Sequence, residues 1–363
     1  MHKIDLRHRL ALEIARKQRK DHIRRHPLRQ LFWECTQRCN LSCRHCGSDC
    51  KTCSETPDMP AADFLQAVDE LIPHIDPHHL NIVITGGEPL MRSDLETVGL
   101  ELYSRGLPWG IVSTGLALSA TRFRSLKAAG IHNLTISLDG LENDHNTMRG
   151  NPASFGKACD AIAMAANDPD INFDVVTCVT GNSLKTLSQM RGLLTDLGVS
   201  QWRLFTIFPS GRARNYPEFK LAPDEIVRLL EFIKKTRREQ SINCSFACEG
   251  FLGNFEGEVR DHFFSCQAGI SIASVLIDGS IGACPSIRAD FAQGNIYSGD
   301  KIWTVWENRF QAYRDHSWMK TGFCADCKMF RYCEGNGMHL RESDGTLKHC
   351  HFHQSLLEAK TRH

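Results

Sequence analysis

The sequence predicts an α/β fold, an open (β/α)6 partial TIM barrel followed by a cysteine-rich C-terminal domain. Short apolar runs alternate with amphipathic helical stretches from residue 31 onward. This alternation is typical of a parallel sheet with right-handed crossovers. Six such units are too few to close an eight-stranded barrel. The 16 cysteines of the 363-residue chain cluster toward its two ends, which predicts a barrel flanked by two cysteine-bearing regions.

The bulk composition excludes several classes of protein. The formal net charge of +1 gives no sign of a nucleic-acid partner. No apolar run reaches the roughly 18 residues that a membrane-spanning helix needs, and the N-terminus lacks the apolar core of a secretory signal. We therefore expect a cytoplasmic protein without a transmembrane segment. Because the cytosol keeps thiols reduced, the cysteines of this chain are expected to bind metal rather than to form disulfides.

Residues 1–29 predict a basic amphipathic helix. Leu6, Leu10 and Ile14 are spaced i, i+4 and i+8 and form an apolar stripe, and the helix is expected to stop before Pro27. Two interpretations stay open. In one, the helix packs on the barrel through this stripe and its basic side faces water. In the other, it contacts an acidic partner or the anionic surface of the inner membrane.

Residues 30–240 are the predicted barrel and residues 241–363 the predicted C-terminal domain. The predicted strands cover residues 31–36, 80–85, 109–114, 133–138, 173–180 and 202–208. Helical patterns cover residues 61–72, 94–105, 119–129, 153–167, 183–197 and 223–238. In βα barrels the catalytic residues lie at the C-terminal ends of the strands. We therefore expect the active site at those ends.

The first strand ends in a cysteine-rich loop. Cys39, Cys43 and Cys46 have the spacing Cys-x3-Cys-x2-Cys. Most iron–sulfur clusters use four cysteines, so three thiolates would leave one iron of a [4Fe-4S] cluster open to another ligand. By itself the motif is also compatible with a zinc knuckle or a disulfide-rich loop. It resembles the signature of the radical SAM superfamily, in which S-adenosylmethionine (SAM) binds the open iron through its amino and carboxylate groups.

The end of strand 2 strengthens this resemblance. It carries Gly86-Gly87-Glu88-Pro89, in which the glycines let the backbone approach a ligand closely. The Glu88 carboxylate can accept a hydrogen bond from an ammonium group. The segment resembles the GGEP motif of the superfamily, which contacts the SAM amino group. Ser113, at the end of strand 3, resembles part of an element near the SAM ribose, although the usual Asn of that element is absent here.

Polar residues at and after the end of strand 4 resemble those that line the SAM and substrate cavity in relatives. They are Ser137, Asp139 and Arg149. Taken one at a time, each is also compatible with a turn-forming role at a strand end. The resemblance therefore implies eight residues that bind SAM, namely Gly86, Gly87, Glu88, Pro89, Ser113, Ser137, Asp139 and Arg149.

The C-terminal cysteines form two groups. Cys266 and Cys284 flank an Asp-Gly turn at Gly279 between two apolar runs, which predicts a β-hairpin. The second group comprises Cys324, Cys327, Cys333 and Cys350. Together their spacing resembles the SPASM domain, the auxiliary-cluster extension of radical SAM peptide and protein maturases. A zinc site is the alternative for one group of four cysteines.

The resemblance implies one or two auxiliary [4Fe-4S] clusters. The second of these keeps a full set of ligands in Cys324, Cys327, Cys333 and Cys350. The first lacks one, because Gly337 stands where relatives have a cysteine. Cys266 and Cys284 remain for it, and Cys248, or else Cys244, is the expected further ligand. We expect the first auxiliary cluster either to have an open iron or a substitute ligand, or to be absent.

The implied function is radical chemistry on a peptide or protein side chain. By resemblance, a ferredoxin- or flavodoxin-type donor supplies one electron, SAM is cleaved to methionine and a 5′-deoxyadenosyl radical, and that radical abstracts hydrogen from the substrate. The Cys-Gly-Ser-Asp-Cys segment that ends at Cys50 and the glycine at position 337 resemble a branch associated with small lipoproteins in anaerobic bacteria. Pro285 replaces the Asp that acts as general base in sulfatase-maturing relatives, which argues against formylglycine formation.

Two other function classes stay open at this stage. One is a radical SAM enzyme that acts on a small molecule such as a sugar or a cofactor precursor. The other is a non-catalytic iron–sulfur or zinc protein used for electron transfer or binding. The intact Gly-Gly-Glu-Pro segment disfavours the second class, because an electron carrier needs no SAM site.

Overall fold

The computed structural model describes residues 4, 6–207, 209–247, 249–287 and 291–353. Its strands are β1 (Gln30–Thr36), β2 (Asn81–Gly86), β3 (Trp109–Ser113), β4 (Ile131–Ser137), β5 (Asn172–Val179), β6 (Gln201–Thr206), β7 (Asn243–Phe246), β8 (Ile272–Val275), β9 (Ser280–Gly282) and β10 (Gly294–Asn295). Its α-helices are α1 (Leu6–Arg25), α2 (Ala61–Asp69), α3 (Leu95–Ser104), α4 (Ala120–Ala128), α5 (Glu142–Arg149), α6 (Ser154–Ala166), α7 (Gly181–Asp196), α8 (Pro223–Glu239), α9 (Ile302–Arg309), α10 (Gln311–Arg314) and α11 (Phe330–Cys333).

The strands form one sheet in the order β10-β9-β8-β1-β2-β3-β4-β5-β6-β7. Neighbouring strands from β1 to β7 are parallel. The six predicted strand–helix units are therefore confirmed, and so is the class of fold. Sequence analysis missed β7, whose four residues are too short to give a clear pattern, and α5, a helix with few apolar residues.

The sheet continues past the predicted domain boundary at residue 240. Strand β7 extends it beyond β6, and β8 pairs in parallel with the other edge, β1. Strands β8 and β9 pair antiparallel, which is the β-hairpin expected around the Asp-Gly turn. Because one sheet carries both regions, the C-terminal cysteines are held on the same framework as the loop after β1.

Large apolar side chains on the strands and inner helix faces form the core. Trp33, Trp109 and Trp202 lie on β1, β3 and β6 and are fully buried. The Trp33 ring stacks on Phe64 of α2 with the ring centroids 4.4 Å apart. Helices that cover a parallel sheet exclude water from it, and strands buried in this way read as apolar runs rather than as alternating patterns.

Helix α1 packs against the C-terminal region through its polar side. Leu12 is its one buried residue. The Arg19 guanidinium donates to the carbonyl oxygen of Tyr332 at 2.7 Å and pairs with Glu334 at 2.9 Å. These partners compensate for burying a charged side chain, because buried cations are stable only when paired.

The apolar stripe of α1 faces solvent. Leu6, Leu10 and Ile14 are 72%, 58% and 59% exposed. The expectation that this stripe packs on the barrel is therefore wrong, since the opposite side of the helix makes the contacts. Among the described residues, no helix is long and apolar enough to cross a membrane.

A pair of helical glycines provides a test of the packing. A Cβ atom on Gly99 of α3 would lie 2.1 Å from the buried Trp109 ring, whereas one on Gly156 of α6 would meet nothing within 4 Å. We expect Gly99→Ala to lower the free energy of unfolding by about 1–3 kcal/mol through overpacking. Gly156→Ala should raise it by about 0.5–1 kcal/mol, because alanine favours the helix. Urea unfolding measures both changes, and equal effects of the two substitutions would contradict the packing described.

Candidate functional site

The loop after β1 is held to the end of β2 by backbone hydrogen bonds. The Gly87 amide donates to the Thr36 carbonyl at 2.7 Å, and the Glu88 amide donates to the Arg38 carbonyl at 2.9 Å. The loop also closes on itself, because the Cys39 amide donates to the Lys51 carbonyl at 2.8 Å. The signature cysteines are thus fixed at the C-terminal edge of the sheet.

The two glycines of the Gly-Gly-Glu-Pro segment are required by this contact. Gly86 has a φ of +128°, and a Cβ atom there would lie 2.1 Å from the Thr36 carbonyl oxygen. A Cβ atom on Gly87 would lie 2.2 Å from the Arg38 carbonyl oxygen. Sequence analysis attributed these glycines to the approach of a ligand. The structure shows that they allow the approach of the cysteine loop.

Arg212 holds the far side of the same loop. Its Nε donates to the Cys43 carbonyl at 2.8 Å, and its Nη1 donates to the Cys50 carbonyl at 2.7 Å. Its amide donates to the Cys46 carbonyl at 3.0 Å. Arg212 lies in a Gly-Arg-Ala turn after β6, and the sequence gives no sign of its contact with the loop. That contact joins residues about 165 apart in the chain and leaves no local pattern in the sequence.

The Glu88 side chain is enclosed between β2 and β3. Its carboxylate accepts from the Ser113 hydroxyl at 2.9 Å, from the Thr114 amide and hydroxyl at 2.8 Å each, and from the Leu90 amide at 3.1 Å. Burial raises the pKa of Glu88, while these hydrogen bonds oppose the rise. The carboxylate is thus held by donors of the chain itself, and its expected contact with an ammonium group stays a prediction. Pro89 begins a short 3-10 turn behind it and is buried.

Asp139 and Arg149 form a buried ion pair beside the signature cysteines. The Arg149 Nε and Nη2 atoms each lie 2.6 Å from Asp139 Oδ2, and Arg149 Nη1 lies 3.8 Å from the Cys43 sulfur. Burial alone would raise the pKa of Asp139, but the Arg149 charge holds it at about 2. The sequence-predicted residues Asp139, Arg149 and Cys43 are thus brought together. Ser137, also predicted, lies half-buried at the end of β4.

His45, Asp139 and Cys178 make a second polar group at the barrel mouth. Their donor atoms lie within 4.8 Å of one another, and among the described residues no other trio of possible metal ligands is that compact. The Asp139 charge is already matched by Arg149, which leaves little to attract a metal ion. Burial lowers the pKa of His45 to about 4. The group therefore adds to the buried polar surface beside the Asp139–Arg149 pair.

The spacing of the signature cysteines favours a cluster over a zinc ion. Cys39 and Cys43 are buried and Cys46 is half-buried. A tetrahedral zinc ion with Zn–S bonds of about 2.3 Å would draw its sulfur ligands to roughly 3.8 Å from one another. In the described part of the chain, no three cysteine sulfurs approach within 4.8 Å. The three sulfurs are therefore farther apart than a zinc ion would hold them, as the larger [4Fe-4S] cluster implied by the resemblance requires.

The second C-terminal group lines one small apolar cavity. Cys324, Cys327, Cys333 and Cys350 all contribute to its wall, together with Phe251, Leu347 and Phe352. Burial raises the pKa of Cys333, and the other three thiols raise it further. The Arg341 guanidinium donates to the Cys324 sulfur at 3.4 Å, and His353 Nε2 lies 3.4 Å from the Cys327 sulfur. The structure thus brings together all four cysteines that sequence analysis grouped.

The first C-terminal group is brought together around Tyr313. Burial raises the pKa of Tyr313, and the nearby thiols of Cys284 and Cys266 raise it further. Cys248, the expected further ligand, lies outside the described residues. Cys244 instead belongs to the hydrophobic core, with its carbonyl accepting a hydrogen bond of 2.9 Å from Arg237 of α8. Cys244 as a ligand of this group stays a prediction.

Sequence comparison identifies the barrel. Residues 33–194 match the family model of the Radical SAM superfamily. The chain is 24% identical over 323 residues to the AdoMet-dependent heme synthase of Nitratidesulfovibrio vulgaris, covering 84% of this chain and 86% of that protein. It is 25% identical over 312 residues to the mycofactocin maturase MftC of Mycolicibacterium smegmatis, covering 85% and 77%.

Solved structures share the fold through the C-terminal region. The structure of anSMEcpe with bound AdoMet and Cp18Cys peptide superposes with a TM-score of 0.70 at 19% identity, covering 92% of this chain and 96% of that one. Streptococcus suis SuiB bound to its precursor peptide SuiA superposes with a TM-score of 0.66 at 14% identity, covering 89% and 75%.

The cofactors follow from the domain and from the donors described above. A radical SAM domain uses a [4Fe-4S] cluster and SAM, and the C-terminal cysteines suit auxiliary clusters. Residues 33–194 therefore match the radical SAM superfamily, and the chain shares the fold of structures in which a further region continues from the barrel.

Proposed function

We propose that this radical SAM enzyme modifies a peptide or protein substrate. The observation that supports the proposal is the likeness to two structures with bound peptides, which extends over about nine-tenths of this chain. The likeness includes the C-terminal region as well as the barrel. Mycofactocin maturase, a relative that matches over a similar length, points in the same direction. The predicted division into residues 1–29, 30–240 and 241–363 is kept as part of this proposal.

In this proposal Cys39, Cys43 and Cys46 bind the cluster with the open iron. That cluster and SAM, when bound, would supply the radical chemistry that removes hydrogen from a substrate carbon. The chain itself provides the rigid mount. Arg212 and the backbone of β2 hold the loop from two sides, so little reorganisation is needed when the site is loaded.

The residues predicted to bind SAM divide into two kinds. Glu88 and Ser113 bond to each other, so we propose that they shape the site while backbone atoms of residues 86–89 contact the SAM amino group. Asp139 and Arg149 lie beside Cys43. We propose that this ion pair contacts SAM or substrate directly and that Ser137 lines the same cavity.

The auxiliary region is proposed to transfer electrons. Cys324, Cys327, Cys333 and Cys350 would bind the second auxiliary cluster in their apolar cavity, and Cys266 and Cys284 would bind the first. A ferredoxin- or flavodoxin-type protein is the proposed donor. The proposed protein substrate is a small lipoprotein of an anaerobic bacterium.

Removing one signature cysteine tests the assignment of the cluster. We expect Cys43→Ala to reduce 5′-deoxyadenosine formation by more than about 100-fold, because even changes outside the ligand shell of a metal typically cost about 10- to 100-fold. The measurement is anaerobic reconstitution and chemical reduction, followed by chromatography of the SAM products. Cys53→Ala is the matched control, since Cys53 is exposed. Equal deoxyadenosine from both variants would contradict the assignment.

A tetrapyrrole or other small molecule is the second candidate substrate. It is favoured by relatives named AdoMet-dependent heme synthase from several organisms, which match over 84% to 86% of this chain. Their identity of 23% to 25% is the same as that of the maturase. This candidate keeps the radical chemistry and changes the occupant of the cavity.

Fractionated extract distinguishes the two substrates. We expect deoxyadenosine formation to rise several-fold with the macromolecular fraction of an anaerobic cell extract, because substrate usually promotes productive SAM cleavage. Protease treatment of that fraction should abolish the rise. Fe-coproporphyrin III, haem and the dialysable fraction serve as comparison additions. If one of these additions raises deoxyadenosine formation and the effect survives protease treatment, the substrate is a small molecule and the peptide proposal is wrong.

We also propose that the exposed stripe of α1 contacts an anionic membrane surface. Leu6, Leu10 and Ile14 project into solvent, and the exposed cations Lys17 and Lys20 continue the same helix. An apolar stripe beside basic residues is the pattern of helices that lie in the lipid headgroup region.

Vesicle binding tests this contact. The wild-type protein should sediment with vesicles that contain phosphatidylglycerol and not with neutral phosphatidylcholine vesicles. Leu10→Ser/Ile14→Ser should weaken binding at least about tenfold, since each buried aliphatic side chain contributes about 1.5–3 kcal/mol at full burial. Leu100→Ser, at an exposed leucine of α3, is the control. Wild-type protein that stays in the supernatant at low salt would refute the contact.

A further inference from the structure

Position 337 has glycine for a reason other than backbone freedom. Gly337 has φ −67° and ψ 138°, which is extended backbone that any residue can adopt. Many other glycines of the chain have positive φ values, which glycine adopts more readily than other residues. Gly337 has a negative φ, so backbone conformation does not explain why glycine stands there. The space around the position must explain the absence of a side chain.

The His339 ring occupies that space. A Cβ atom on Gly337 would lie 2.7 Å from His339 Cε1 and 3.1 Å from His339 Nδ1. It would also lie 3.1 Å from the Glu249 carbonyl oxygen. The imidazole therefore stands where a side chain at position 337 would begin, and a cysteine there would require the ring to move.

The same turn contacts the first C-terminal cysteine group. The Met338 amide donates to the Cys266 sulfur, and Cys266 and Cys284 lie together beside Tyr313. Glu249, which directly follows Cys248 in the chain, lies against Gly337. Residues 337–339 are thus next to Cys266 and to the segment that follows Cys248.

Imidazole is chemically suited to replace a thiolate on iron. Histidine binds iron well, and in Rieske centres two histidines take the place of two cysteines, which raises the reduction potential of the cluster. A histidine that stands in the direction of a lost cysteine side chain can therefore supply the missing donor atom.

We propose that His339 is a further ligand of the first auxiliary cluster, in addition to Cys266 and Cys284. A [4Fe-4S] cluster bound in this way has one nitrogen ligand. Its reduction potential is expected to be higher than that of the all-cysteine cluster at Cys324. This proposal rests on the first auxiliary cluster of the proposed function, but it depends neither on the substrate nor on SAM cleavage.

Iron content and nitrogen hyperfine coupling test the proposal on the whole chain. Reconstituted wild-type protein should bind about twelve irons, as three four-iron clusters require. Pulsed electron paramagnetic resonance of protein labelled with ¹⁵N-histidine should detect a directly bound nitrogen. His339→Ala should lower the iron content to about eight and abolish the nitrogen coupling. His74→Ala, which removes a histidine stacked on Trp303, should change neither.

Exchange of the two ligands provides a second readout. His339→Cys should keep about twelve irons and lose the nitrogen coupling. Gly337→Cys/His339→Ala should do the same, because removing the ring makes room for the cysteine. If His339→Ala does not fold, these two variants still test whether His339 binds the cluster.

Two results would overturn the proposal. One is a wild-type protein with about eight irons, which would mean that the first auxiliary cluster is absent. The other is nitrogen coupling that persists in His339→Cys. Because neither readout uses deoxyadenosine, failure here is distinguishable from failure of the proposed function.

Discussion

The hydrogen bonds between the end of β2 and the cysteine loop are the contact on which the site depends. The Thr36 and Arg38 carbonyls accept the amides of Gly87 and Glu88, at separations that exclude any side chain on the two glycines. Without these hydrogen bonds the cysteine loop would sample several conformations, whereas a cluster needs its thiolates held in one arrangement. Backbone bonding to a central strand supplies that rigidity without using the side chains that face the cavity.

Buried charge at the mouth is balanced before any cofactor enters. Glu88 is surrounded by hydrogen-bond donors from β3, and Asp139 is paired with Arg149. Because buried carboxylates are costly unless they are paired or hydrogen-bonded, these partners keep the strand ends in place. The Arg149 guanidinium also lies near the Cys43 sulfur. A positive charge there stabilises a thiolate ligand and the negative charge that a reduced cluster carries.

The barrel and the C-terminal region share one sheet. Strand β8 pairs with β1, the strand that leads directly into the cysteine loop. Helix α1 adds a second connection through Arg19, which bonds to backbone near Cys333. The relative positions of the proposed clusters are therefore set by hydrogen-bonded structure rather than by a flexible linker. Electron transfer depends steeply on distance, and this arrangement keeps that distance constant.

The sequence by itself determined the strand–helix order, the cysteine groups and the Gly-Gly-Glu-Pro segment, because these are local patterns of spacing and hydrophobicity. It did not determine which way Glu88 points, which face of α1 packs, or that Arg212 reaches the cysteine loop. Each of these depends on partners distant in the chain, so no local pattern records it. The position of His339 beside Gly337 has a different origin, because the two residues are only two apart. The conformation of the folded turn decides it, since that turn brings the ring into the space of a side chain at position 337.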